Sequence, residues 1–144
     1  MSSLANKADS GRASLEFLVG AILVFVPVLS LTVVLWSISH AQLATEAAAR
    51  HAARVFVQHT TLSQAVTDTQ RAARLALDQY GIGKEASVTL RCSPAHDCLE
   101  PDTWVEVVVT TGVPLVALPL GKFDASIPIT ARATSQVSRY RGDP

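Results

Sequence analysis

Charged side chains are scarce in this 144-residue chain, at 17%, and aromatic ones scarcer, at 6%. Twelve Lys and Arg balance twelve Asp and Glu. That neutrality removes the electrostatic footprint a nucleic-acid binder needs, and no basic stripe replaces it. No Gly-rich phosphate loop is present, and no serine stands in a nucleophile elbow or beside a base at a recognised spacing. Four histidines, His40, His51, His59 and His96, are scattered, and His51 and His59 have no third metal ligand beside them. No cofactor, catalytic residue, metal or small-molecule substrate is therefore expected. Alanine and valine carry most of the apolar content, which reaches 49%.

The apolar residues are concentrated. Phe17 to Trp36 holds no charge at all. At about 1.5 Å per residue it makes a helix about 30 Å long, the thickness of a bilayer core. Gly20, Pro27, Ser30 and Thr32 interrupt it, which a spanning helix tolerates when hydroxyls or neighbours satisfy freed backbone groups. A buried core helix is the bland alternative, but the rest of the chain is too small to enclose a helix that is apolar all round. A cleaved signal peptide is another, yet the run exceeds the usual apolar length of about 7–15 residues and no small-x-small site follows. A retained single span is the favoured reading, and Trp36 sits where an interfacial aromatic belongs.

Basic residues scarcely orient the span: Lys7 and Arg12 precede it, and Arg50 and Arg54 lie well beyond. The cysteines are more informative. Cys92 and Cys98, in "CSPAHDC", suit a small disulfide loop, and disulfides persist outside the cytoplasm. Free thiols, or a metal site using Cys92, His96, Asp97 and Cys98, are the competing readings. A zinc site normally shows a tighter pair and a second pair elsewhere. The disulfide favours a cytoplasmic N-terminus and an extracytoplasmic C-terminal part.

Beyond the span the pattern becomes amphipathic without a break. Leu43, Ala47, Ala48, Ala52 and Val55 lie at helical spacing, with Glu46 and Arg50 as an exposed i,i+4 pair. One helix from about Ser14 to Gln58 is expected, with Pro27 as the candidate kink. Thr61 and Gln64 fit a capping box opening a second helix from Leu62 to about Tyr80. Its expected inner stripe is Leu62, Val66, Thr69, Ala73, Leu77 and Tyr80, and Gly81 and Gly83 end it. The period then falls to two. "ASVTLRC", "TWVEVVVTT" and "ASIPITARATSQVSRY" read as strands, with Val88, Leu90, Cys92, Val105, Val107, Val109, Ile127, Ile129 and Ala131 inward. Pro128 suggests an edge strand. "GVPLVALPLGKFD" is an apolar, proline-broken stretch that suits packing on the long helix or touching a membrane surface.

The fold class is therefore α+β. A long N-terminal transmembrane helix continues into an extracytoplasmic domain with a second helix and a small three-stranded antiparallel sheet. Three strands alone are marginal, so the sheet must bury its apolar face on a helix.

Glu16 stands at the edge of the apolar run, five residues after Gly11. "GRASLEF", followed by an apolar helix and then by "ATEAAARHAAR", resembles the start of the TadE-like minor pilins or pseudopilins of tight-adherence (Flp) pilus systems. The resemblance is specific over about Gly11 to Val57. It implies cleavage after Gly11 by a prepilin peptidase, leaving Arg12 as the first mature residue. Residues 1–11 would be a short polar leader, 12–38 the transmembrane helix and 39–144 the extracytoplasmic domain. It also implies that Glu16, beside Phe17, is an assembly contact that meets the new amine of a neighbouring subunit. Partners would be the membrane, the peptidase, other minor pilins and the assembly platform. Two features depart from the family pattern: Arg12 replaces the usual small or apolar residue, which puts N-terminal methylation in doubt, and Pro27 lies further along the helix. The alternative is a single-pass, membrane-anchored binding or sensing module. "RGD" at Arg141 to Asp143 is a short match of the kind chance supplies, and Trp104 reads as a packing residue at the start of a strand.

Overall fold

A computed structural model describes residues 5–94, 97–114 and 126–140, with residues 5–12 and Pro114 described in backbone only. The elements are α1 (Ala5–Phe56), α2 (Leu62–Asp78), β1 (Ser87–Ser93), β2 (Trp104–Pro114) and β3 (Ser126–Gln136). This is the expected α+β fold. Contacts divide the chain into two units, residues 1–36 and residues 37–144.

In the first unit, α1 begins at Ala5 rather than near Ser14. From Ala13 to Trp36 no side chain is buried. The stretch is long and apolar enough to cross a membrane. Pro27 lies inside the helix and supplies no N–H for the turn before it. On either side of it, hydroxyls are satisfied internally. The Ser30 hydroxyl donates to the Val26 carbonyl at 2.8 Å, and the Thr32 hydroxyl to the Val28 carbonyl at 2.9 Å. Such back-bonding leaves neither hydroxyl asking for a partner, which hydrocarbon surroundings would require.

The second unit is built on an alanine seam. Ala44, Ala48, Ala49, Ala52 and Ala53 of α1 are buried with Ala65, Ala73 and Leu77 of α2 and with Val105, Val107, Val109, Ala131 and Val137. Small side chains let helix and sheet backbones approach closely. Phe56 is the one buried aromatic among the described residues and fills the end of the seam. The core face of α1 is rotated from expectation. Ala48 and Ala52 are buried, but Leu43 is 67% exposed and Ala47 is exposed, while Ala41, Ala44, Thr45, Ala49 and Ala53 are inside. The Glu46–Arg50 pair forms as expected, at 3.1 Å.

In α2, Thr69, Ala73 and Leu77 are buried as expected, with Ala65, whereas Leu62 and Tyr80 are exposed. Leu62 is the first residue of α2, and Tyr80 lies in the turn beyond its last. The capping box is not made. The Thr61 hydroxyl donates to Gln64 Oε1 at 2.9 Å instead of accepting a backbone N–H. Termination is stronger. Gly81 is left-handed at φ 72°, its N–H donates to the Asp78 carbonyl, and the Ile82 N–H donates to the Leu77 carbonyl. This is a Schellman turn, with Ile82 brought back to the core beside Leu77.

The sheet has the order β1-β2-β3, both pairs antiparallel. Val105, Val107 and Val109 are fully buried, Ile129 and Ala131 are buried, and Val88, Leu90, Cys92 and Ile127 are half-buried on the same side. Pro128 lies in an edge strand, opposite Gly112. Trp104 opens β2 and is 51% exposed. Of "GVPLVALPLGKFD", residues 112–114 extend β2 and 115–124 lie outside the described residues, as does the "RGD" segment.

Candidate processing and assembly site

The sequence singled out Gly11, Arg12, Glu16 and Phe17. Gly11 and Arg12 fall inside the helical backbone of α1, and the Arg12 side chain lies outside the described residues. Glu16 and Phe17 are exposed, Phe17 at 78%. A carboxylate is stabilised by the positive end of a helix when it lies in the first turn. With α1 starting at Ala5, Glu16 lies about three turns in, beyond the reach of that field. The first turn of α1 holds no acidic residue. Removal of the residues through Gly11 would bring Glu16 back to within about a turn of a new helix N-terminus and of a new ammonium group. Such a cut would therefore change the acid's electrostatic surroundings. A carboxylate costs roughly 2.5–3.5 kcal/mol at mid-membrane and less near the interface. Either compensation matters on that scale.

Cys92 and Cys98 are joined as a disulfide, with Cα atoms 5.3 Å apart. Their thiols are thus neither free nor available to a metal. His96, the third member of that alternative set, lies outside the described residues. The bond closes the β1–β2 connection, where Asp97 Oδ1 accepts the Leu99 N–H at 2.9 Å. Asp102 holds a left-handed backbone at φ 66°, and its carboxylate meets Gln136 and Arg139, each at 3.2 Å.

Two grooves of the second unit escaped the sequence reading. One lies between α1 and α2, lined by Ala44, Ala47 and His51 on one side and by Asp68, Leu75 and Tyr80 on the other. The other runs beside β3, between Glu46 and Arg50 of α1 and the stretch Ile129 to Arg132. His59 also meets Asp68 at 3.4 Å across the α1–α2 turn. Nine positions separate the pair, so helical spacing could not reveal it. Among the described residues no three His, Cys, Asp or Glu side chains group as metal ligands.

No family model, curated protein or solved structure matches the chain.

Proposed function

We propose that the chain is a TadE-like minor pilin or pseudopilin that helps to assemble or initiate a tight-adherence (Flp) pilus, without an active site of its own. One observation carries the reading: Glu16 stands five residues after Gly11 at the head of an uncharged stretch of helix in which no side chain is buried. In this reading Phe17 to Trp36 anchors the chain in the inner membrane, with the N-terminus cytoplasmic and the α+β domain outside. A prepilin peptidase cuts between Gly11 and Arg12. The new amine of one subunit then meets Glu16 of another, and an unpaired acid penalises the wrong register. Other minor pilins and the assembly platform are the partners. A disulfide in the outer domain supports the extracytoplasmic placement.

A second reading, a single-pass module that binds or senses an extracytoplasmic ligand, draws on a different observation. The Gly11–Arg12 bond lies in helical backbone, so cleavage needs that helix end to open first. The intact mass of the membrane-purified protein, with and without a prepilin peptidase, separates the two. A chain beginning at Arg12 only when the peptidase is present supports the pilin pathway. A chain beginning near Met1 in both cases supports the anchored module.

A further inference from the structure

β3 is an edge strand of the sheet, and three observations fix which of its backbone groups point away from β2. First, the Val137 N–H donates to the Thr103 carbonyl at 2.9 Å, and the Val137 carbonyl accepts the Asp102 N–H at 3.1 Å. Backbone groups alternate along a strand, so the odd-numbered residues of β3 bond to β2. Second, the hydroxyls of Thr110 and Thr130 lie 3.0 Å apart. Directly opposite residues whose side chains meet this closely suit a non-hydrogen-bonded pair. Third, Pro128 has no N–H to give and stands at an even position, where none is needed. The N–H and C=O groups of Thr130, Arg132, Thr134 and Gln136 therefore point away from the sheet. No backbone partner meets them among the described residues.

Sheets usually guard such an edge with prolines, bulges, charges or covering segments. Here, among the described residues, Pro128 stands near one end and Arg132 is the one charged side chain along the strand. The opposite edge is less available: β1 is shorter, and its end is closed by the Cys92–Cys98 bond. Beside β3 lies an open groove of about 520 Å³, with Gln42, Glu46 and Arg50 of α1 along its far wall. An added strand about 4.8 Å away would send alternate side chains into that groove.

Charge selects among strands. On the outer face of the sheet Arg91 of β1 stands opposite Glu106 of β2, and Arg132 of β3 approaches Glu106 at 3.9 Å. The order across the sheet is basic, acidic, basic, so an acid comes next. In the groove Glu46 is already held by Arg50. We propose that the β3 edge, from Thr130 to Gln136, binds an extended, acidic segment of a partner protein by strand addition. Main-chain hydrogen bonds would supply affinity, and a carboxylate near Arg132 would supply selectivity. This proposal is independent of cleavage at Gly11.

The test is amide NMR on the full chain in detergent micelles, titrated with a capped peptide Thr-Val-Glu-Val-Thr, a Lys-for-Glu version, and one N-methylated on alternate amides. The expected result is displaced amide signals at Thr130, Arg132, Thr134 and Gln136 with the acidic peptide. The displacement should be several-fold smaller with the Lys version and absent with the N-methylated one. Thr134→Pro should abolish it while leaving the amide spectrum of β1 and α2 unchanged, since Pro128 shows that an even position accommodates proline. Signals displaced at Val88 and Leu90 instead, or equally by the acidic and Lys peptides, overturn the proposal. So does no displacement at all at millimolar peptide. The same four amides shifting with protein concentration alone would identify a second copy as the occupant and also overturn it.

Discussion

The hydroxyl of Thr111 donates to the carbonyl of Ile82 at 2.6 Å, tying the middle of the sheet to the turn that ends α2. Thr111 is 1% exposed, and the carbonyl it serves belongs to the Schellman turn. Replacing it with valine keeps the shape and removes the donor. The stranded carbonyl should cost about 1–2 kcal/mol. For a domain of this size that is a fall of about 5–10 °C in melting temperature. Thermal unfolding of Thr111→Val followed by circular dichroism checks it; an unchanged midpoint would mean that water serves the carbonyl as well.

Two other buried threonines should respond differently. The Thr45 hydroxyl donates to the Ala41 carbonyl at 2.6 Å, so it is satisfied inside α1. The Thr69 hydroxyl, fully buried in α2, meets no hydrogen-bond partner among the described residues. Desolvating a hydroxyl without a new bond costs roughly 1–3 kcal/mol in proteins, and valine avoids that cost at nearly the same volume. Thr69→Val should therefore raise stability by about 1 kcal/mol. Thr45→Val should leave it unchanged or slightly lower. Urea midpoints of the two variants, compared with the parent, decide the matter.

The period-two stretches were legible because alternation along a strand has one phase, and Val105, Val107 and Val109 could face only one way. The alanine-rich part of α1 was not legible to the same degree. Leu43 and Ala47 look like core when hydrophobicity alone is read, since alanine on both faces leaves the apolar stripe without an edge. Packing settled the phase on Ala44, Ala48, Ala52 and Phe56 instead. The groove beside β3 was invisible for another reason: it joins residues roughly eighty positions apart. This rotation is directly measurable. Ala52→Leu should overpack the seam and cost about 1–3 kcal/mol. Ala47→Leu, on the exposed side, should stay within about 0.5 kcal/mol of the parent. Equal losses would return the core to the face that the sequence suggested.

The Cys92–Cys98 bond closes a short loop at the end of β1. In the chain-entropy account, a loop this short contributes about 2 kcal/mol by restricting the unfolded chain. The double variant Cys92→Ala, Cys98→Ala should lose about that much while keeping the sheet. Backbone hydrogen exchange should then quicken first at Asp97 to Asp102, where the Asp97 turn and the left-handed Asp102 depend on the closed loop. Uniform acceleration across all three strands would instead mark the bond as a global brace.

Glu16 is where the functional reading is most exposed to test. With α1 starting at Ala5 the acid lies too far along the helix to benefit from its N-terminus, and it borders a run in which no charge appears. Glu16→Gln removes the charge, keeps the size and lowers the cost of entering the membrane by less than the roughly 2.5–3.5 kcal/mol that a charge costs at mid-helix. If Glu16 is only a tolerated headgroup residue, the variant should insert, be cut and assemble like the parent. If it pairs with the amine released at Arg12, insertion and cutting should persist while recovery with other pilins falls by tenfold or more, the loss expected from about 1.4 kcal/mol of pairing. Membrane fractionation, intact mass and pull-down of the same sample give the three readouts. The decisive pattern is normal mass with lost recovery, because a misfolded or uninserted chain would fail the first two measurements as well.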